Sequence, residues 1–413
     1  MLVNRQVPED RANEYLKELD GCKTYTISRG DLSMFYRIAD GTLSPLEGPM
    51  GSGEFDQVLE KEFITRNGKK YAWTIPVVFP AGKAEAENFS PGEKVRVEDE
   101  DGRIVGGLTL TEIYGFDKEK YNRSVYGTGR TDHPGPRIVN DDPRDILVAG
   151  TIEALPQPKD DPCGRYILPP EETRGIFSRK GWDRVVAFQT RNPLHRAHEY
   201  ALVYGLEKLT RDGFFAGAVL NPLIGETKSD DVPASVRMKT YEALINGGLI
   251  GEGDKDEDLW SGRDYAFSDQ VLLMALDVKM FYAGPKEAIM HAIYRQNLGF
   301  TDIVIGRKHA DAPFDDGEPV WGDFDAQRKF DEMEGELLIE PVKVGYACFY
   351  EELGKVALMD DCKDRGWNAV TISGKDLRKK LHNGEAIDER IMRKPVADIL
   401  EDHYSGKERS GGK

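Results

Sequence analysis

The chain has 413 residues, of which 31% are charged and 39% hydrophobic, and its formal net charge is −17. That length supports two or three domains with substantial cores, and the acidic balance argues against non-specific nucleic-acid binding or an anionic membrane surface as the main task. It leaves room for an anionic small substrate, because a local cluster of Arg and His overrides the global field.

The N-terminus, Met1-Leu2-Val3-Asn4-Arg5, leads into Pro8-Glu9-Asp10 without a signal-peptide h-region. No run approaches the roughly 18 apolar residues that a bilayer span requires. Cytoplasm is the expected location. Cys22, Cys163, Cys348 and Cys362 are scattered with no CxxC pair, a pattern of free thiols in a reducing compartment.

Residues 1–150 read as β-rich. Alternating apolar residues in Val95–Asp99 and Ile104–Leu110 flank an Asp101-Gly102 turn, a strong hairpin signal. Gly48–Gly53 and Tyr126–Arg130 read as loops. From about 138 to 175 the chain is rich in Pro, Asp and Glu and is expected to be a connector. From 183 strand and helix alternate: strand Val185–Phe188, a helix opening near Asn192, strand Phe214–Leu220 and a helix from Pro233 to Ile245. Strand Lys279–Ala283, a helix from Gly284-Pro285 to Asn297 and strand Asp302–Ile305 follow. Such a series implies a mainly parallel sheet covered by helices, with ligands bound beyond the carboxyl ends of its strands. The tail adds strands at Leu337–Val344 and Ala369–Ile372, then a helix with Ser373 as N-cap and Asp376 as its capping-box acid.

The most informative segment is Val185 to Glu199. Asn192 is a favoured N-cap, and Pro193 suits the first helical position. His195 and His198 then share one helix face within the first two turns. A helix N-terminus offers free N–H groups and partial positive charge, so two imidazoles there, approached by Gln189 and Arg191, suggest a polyphosphate site beside a second anion. Zinc fits worse: ligands on one helix favour i, i+4 spacing with a glutamate base, whereas Arg196 and Ala197 separate these histidines.

Four polar clusters stand at strand ends: Gln189–His198, Asn221–Lys228, Gly306–Ala310, and Ile372-Ser373-Gly374 with Arg378. Their order and wording, above all Gln189-Thr190-Arg191-Asn192-Pro193-Leu194-His195-Arg196-Ala197-His198, resemble the ATP sulfurylase (sulfate adenylyltransferase) family. Leu43-Ser44-Pro45-Leu46-Glu47-Gly48 and Trp321–Gln327 extend the resemblance over nearly the whole chain. It implies an α/β protein with three parts. These are a PUA-like β-rich N-terminal domain (1–168), an HxGH nucleotidyltransferase (Rossmann-like) parallel-sheet domain (169–333), and a small C-terminal α/β subdomain (334–413).

The implied reaction joins sulfate to the α-phosphorus of MgATP by direct in-line attack, giving adenylyl sulfate (APS) and pyrophosphate. By resemblance Gln189, Arg191, Arg307 and the backbone N–H of Ala310 cage sulfate. Gln189, Thr190, Arg191, Asn192, His195, His198, Gly306 and His309 bind ATP, and Arg191, Asn192, His195, His198 and Arg307 carry catalysis. Planar Arg forks suit sulfate oxygens, and sulfate is already a dianion, so no general base is needed. Lys228 and Arg237 are candidates to steer phosphate, and Arg378 to support the site.

Magnesium is expected with the nucleotide. The zinc-binding CxxC pair of some prokaryotic relatives is broken around Cys348 and Cys362, so no structural zinc is expected. The resemblance implies small-molecule substrates and a homo-oligomer, with no nucleic-acid or membrane partner. The sequence carries no Walker A motif, and no APS-kinase extension is expected.

Two departures from the family wording stand out. Asn221-Pro222 replaces His-Pro, and Gly306-Arg307-Lys308-His309-Ala310-Asp311 replaces GRDHAG, which reverses a charge that Asp311 partly balances. Altered affinity is expected rather than loss of reaction. The alternatives are an HxGH nucleotidyltransferase with a different anionic acceptor, and a non-enzymatic RNA-binding protein, which the acidic composition disfavours.

Overall fold

A computed structural model describes residues 2–159, 161–226, 231–371 and 374–406. The N-terminal part is built on a five-stranded sheet in the order Thr24–Thr26, Lys94–Glu98, Ile104–Gly115, Ile146–Ala154, Phe79–Ala81. The expected hairpin joins its second and third strands in antiparallel register, Val95 opposite Leu108. Helices such as Arg29–Ala39 and Lys118–Tyr126 accompany the sheet, so this part is less purely β than its turn signals suggest. The expected connector is also shorter. Ile146–Ala154 is a buried strand and Pro170–Lys180 a helix, so only the proline-rich stretch between them connects.

The central sheet has five parallel strands in the order Val271–Leu273, Ala216–Leu220, Arg184–Phe188, Asp302–Ile305, Glu340–Lys343. Alternate residues enter two cores: Val185, Ala187, Ile303 and Ile305 pack with Ile289 and Ile293 of helix Gly284–Leu298, whereas Val186, Phe188 and Val304 pack with Leu202 and Leu206 of helix Arg196–Arg211. A sheet buried on both faces leaves its strand ends as the natural ligand edge.

The expected strand at Lys279–Ala283 does not form; Val271–Leu273 takes that place at the sheet edge. The segment is apolar and largely buried, but the N–H groups of Phe281 and Ala283 donate to the two carboxylate oxygens of Glu287 at 2.8 and 3.0 Å, not to a neighbouring strand. Gly284 follows with φ +48°, where a Cβ would meet the Trp321 ring at 2.5 Å. The expected start of the next element is likewise corrected. Asn192 and Pro193 lie in a loop, and the helix begins at Arg196 with His195 as its N-cap. The helix from Pro233 keeps that residue as its N-cap and runs Ala234–Asn246.

In the tail, Ala347–Tyr350 pairs antiparallel with Lys355–Leu358 and Ala369–Val370. The strand expected at Leu337–Val344 contracts to Glu340–Lys343. Lys228, the Ile372–Ser373 cap and the side chain of Arg378 lie outside the described residues. The Leu43–Gly48 segment is tied to helix Gly284–Leu298, since Asn297 Nδ2 donates to Thr42 O and Ser44 O at 3.0 and 2.8 Å. Among the described residues no helix is long and apolar enough to cross a membrane.

Candidate active site

A cleft of about 390 Å³ opens at the carboxyl ends of the central strands. Gln189, Thr190, Arg191, Asn192, His195 and His198 line it from one strand end, and Gly306 to Asp311 from another. Tyr346, Phe349 and Arg390 close it from the tail. The structure therefore brings to one place every residue of the two main clusters that the sequence assigned to sulfate or ATP. Asn221 and Arg237 are not among the lining residues. Asn221 is 1% exposed and donates Nδ2 to Met274 O at 3.0 Å. Arg237, also 1% exposed, donates to Leu223 O and Val232 O at 2.7 and 2.8 Å and so holds a loop rather than a phosphate.

The first cluster is shaped by short local bonds. Thr190 Oγ1 accepts the N–H of Asn192 at 3.0 Å, which folds the corner after the strand. The Tyr241 hydroxyl donates to Asn192 O at 2.8 Å. Nδ1 of His195 accepts the main-chain N–H of His198 at 3.3 Å, capping the helix. The Arg196 N–H donates to Ile391 O at 2.7 Å. Two N–H groups of the helix's first turn are thus taken by protein, so side chains rather than a bare helix end dominate this wall.

Because His195 Nδ1 is an acceptor, its proton sits on Nε2, which is then free to donate to an oxyanion. Burial drives the pKa of His195 well below the ordinary value, with His198 adding to the effect. Burial also lowers His198, to about 4. Both rings are neutral at pH 7. The cationic charge therefore comes from the arginines, with Lys308 at the rim.

Arg191 packs its guanidinium 4.9 Å from the Tyr282 ring centre and donates to Asp311 O at 3.3 Å. Arg307 sits 5.1 Å from the Tyr346 ring centre, with Nε 3.2 Å from Asp323 Oδ2. Each fork is steered by an aromatic face and an acceptor, so the planar donors are pre-positioned. Ala310 and Lys308 adopt left-handed φ values of 57° and 50°, which reverse the chain beside the cleft. Lys308 Nζ lies 3.9 Å from Asp323 Oδ1, so Asp323 is its ion-pair partner. Asp311, lifted to about 6 by burial and held down in part by Lys308, contributes at longer range.

Sequence reasoning missed the residues behind the lining. Glu287, His291 and Arg295 sit at i, i+4 and i+8 on helix Gly284–Leu298 and are fully buried. His291 lies 3.3 Å from Gln189 and 3.1 Å from His309. Their recurrence every four residues among apolar neighbours such as Ile289, Met290 and Ile293 was the available signal.

A family model described as ATP-sulfurylase matches residues 164–403, and one described as PUA-like domain matches 1–157. The sulfate adenylyltransferase of Pyropia yezoensis is 48% identical over 411 residues, covering 99% of this chain and 96% of its own. That of Halothermothrix orenii is 36% identical over 402 residues, covering 97% and 96%. Among solved structures, the hexameric APS kinase from Thiobacillus denitrificans has a TM-score of 0.71 at 18% identity, a likeness of fold. The match covers 97% of this chain and 66% of that one, so the chain spans about two thirds of that protein.

Proposed function

The chain belongs to the ATP-sulfurylase family, and from that membership we propose that its cleft transfers the adenylyl group of ATP to sulfate, releasing pyrophosphate. The observation that carries the reading is the meeting of the Gln189–His198 and Gly306–Ala310 clusters in one cleft. The task is to hold two mutually repelling anions in contact and to stabilise the departing pyrophosphate. Arg191, Arg307, Gln189 and the Ala310 backbone surround sulfate. His195, His198, Asn192 and Thr190 face the phosphates, and Gly306 and His309 shape the nucleotide pocket.

A sulfate oxygen forms its bond to the α-phosphorus as the bond to the β-phosphate oxygen breaks on the opposite side. Sulfate arrives as a dianion, so no proton is removed from it. Neutral His195 and His198 suit this task as hydrogen-bond donors that strengthen as charge develops on the bridging oxygen. Magnesium enters as part of the nucleotide substrate.

The reading extends to a boundary near 168 between the PUA-like and catalytic parts, and another near 333 before the tail subdomain. It also includes a homo-oligomer in the cytoplasm serving sulfate assimilation, a location that the four free cysteines support. The direct test is ATP formation from adenylyl sulfate and pyrophosphate with magnesium. Turnover supports the reading. A folded protein that binds ATP without turnover would overturn it and point, through Lys308 and Asn221, to a changed acceptor.

A further inference from the structure

Gln189 carries a conflict that its buried neighbours resolve. Its Nε2 lies 3.3 Å from His291 Nε2, while its Oε1 is buried without a hydrogen-bond partner. Behind the ring, Glu287 Oε1 stands 3.3 Å from the same His291 nitrogen. The other ring nitrogen, Nδ1, faces His309 Nε2 at 3.1 Å. Helix Gly284–Leu298 buries Glu287 and His291 completely, so no water competes for these groups.

A neutral imidazole carries one proton, and Glu287, whose two oxygens each accept a main-chain N–H and so favour the carboxylate, draws that proton to Nε2. Nδ1 is then an acceptor, and His309 Nε2–H supplies its donor. With a proton on His291 Nε2, a second donor facing it is repulsive, and an amide oxygen facing it is not. Exchanging the two ends of the Gln189 amide pairs that oxygen with His291. It also removes the orphaned acceptor and leaves the NH2 group, on a side chain that lines the cleft, to donate to a ligand.

We propose that His291, polarised by Glu287, is a positioning residue that fixes the amide of Gln189 with its NH2 donors toward the sulfate subsite. This rests on the assignment of Gln189 to sulfate made above. The reversed amide would present a carbonyl oxygen to a dianion. The Glu287–His291 pair thus selects for an acceptor made wholly of hydrogen-bond acceptors, a tetrahedral oxyanion, without touching it.

The test exploits the geometry of amide substitutes. In H291Q the new NH2 reaches the Nε2 position and keeps a donor for Gln189; in H291N the amide reaches only the Nδ1 position. Steady-state kinetics of the full chain are expected to show H291N raising KM for sulfate about tenfold or more. KM for MgATP should move less than about twofold, and H291Q should stay near wild type.

Equal sulfate KM in both variants, or parallel rises for sulfate and MgATP, would overturn the proposal. Long-range 1H–15N correlation of histidine-labelled wild type needs no folded variant with altered stability. A His291 ring protonated at Nε2 supports the proposal, and one protonated at Nδ1 contradicts it. Absence of any sulfate-dependent turnover in wild type would instead overturn the functional reading, so the two failures are separable.

Discussion

His195 and His198 stack their rings with centroids 3.9 Å apart and planes 23° from parallel, while the first ring caps the main chain of the second. Two imidazoliums at that distance repel, so the stack is a neutral one. The cleft pairs neutral donors with arginine charge, and each has its own experimental signature.

The pH dependence of stability follows from His198, whose folded value of about 4 lies below the ordinary 6.5. Between those values the unfolded chain binds a proton that the folded one refuses, so this residue's contribution fades as pH falls. Glu287 and Asp311, raised to about 7 and about 6, work in the opposite direction. The comparison is therefore with H198Q. Denaturant unfolding at pH 7.5 and pH 5 is expected to shift the difference toward the variant by on the order of 1 kcal/mol at the lower pH.

Arg237 separates a loop-holding role from a catalytic one. R237A leaves the carbonyls of Leu223 and Val232 without their buried donor, at a cost of about 2–4 kcal/mol. Thermal melting is expected to fall by several degrees while KM for both substrates in the folded fraction stays unchanged. An intact melting temperature with a raised KM for MgATP would return Arg237 to the phosphate path.

The tail is latched to the histidine helix by buried charge. Arg393 Nε donates to Glu199 at 2.8 and 3.0 Å, and Arg196 reaches Asp254 at 2.6 and 2.9 Å, whose Oδ1 also accepts the Val356 N–H at 2.8 Å. Removing one partner strands a buried charge, so R393A is expected to cost about 3–5 kcal/mol. Limited proteolysis should then cut ahead of helix Lys394–Tyr404, which wild type protects.

Lys308 is exposed at the cleft rim, 3.9 Å from Asp323, so its field is screened by water and salt. K308D is expected to raise KM for sulfate about threefold at low ionic strength, an effect that fades near 0.5 M salt. A loss of kcat would instead place Lys308 among the reacting atoms.

The two chemical clusters were legible because each is contiguous: Gln189 to His198 and Gly306 to Ala310 need only a strand before them to reach the sheet edge. The hairpin at Asp101-Gly102 and the helices near Pro233 and Pro285 were equally local. What failed depended on side chains that compete for the backbone N–H groups, which hydrophobic periodicity does not show. Lys279–Ala283 reads as a strand, but its N–H groups find Glu287. Asn192 reads as a cap, but His195 takes that position and Asn192 is held by Thr190 and Tyr241. The helical spacing of Glu287 and His291 was visible, but the contact of His291 with Gln189 joins residues some hundred positions apart, and that spacing does not announce it.

In the proposed function, one cleft holds sulfate through Arg191 and the phosphates through His198. The measurement that reaches it most directly is ATP release from adenylyl sulfate and pyrophosphate by wild type, R191A and H198A at equal folded concentration. If the proposed function holds, wild type turns over robustly and each variant loses about 10²–10³-fold. Variants that turn over as wild type does would contradict it.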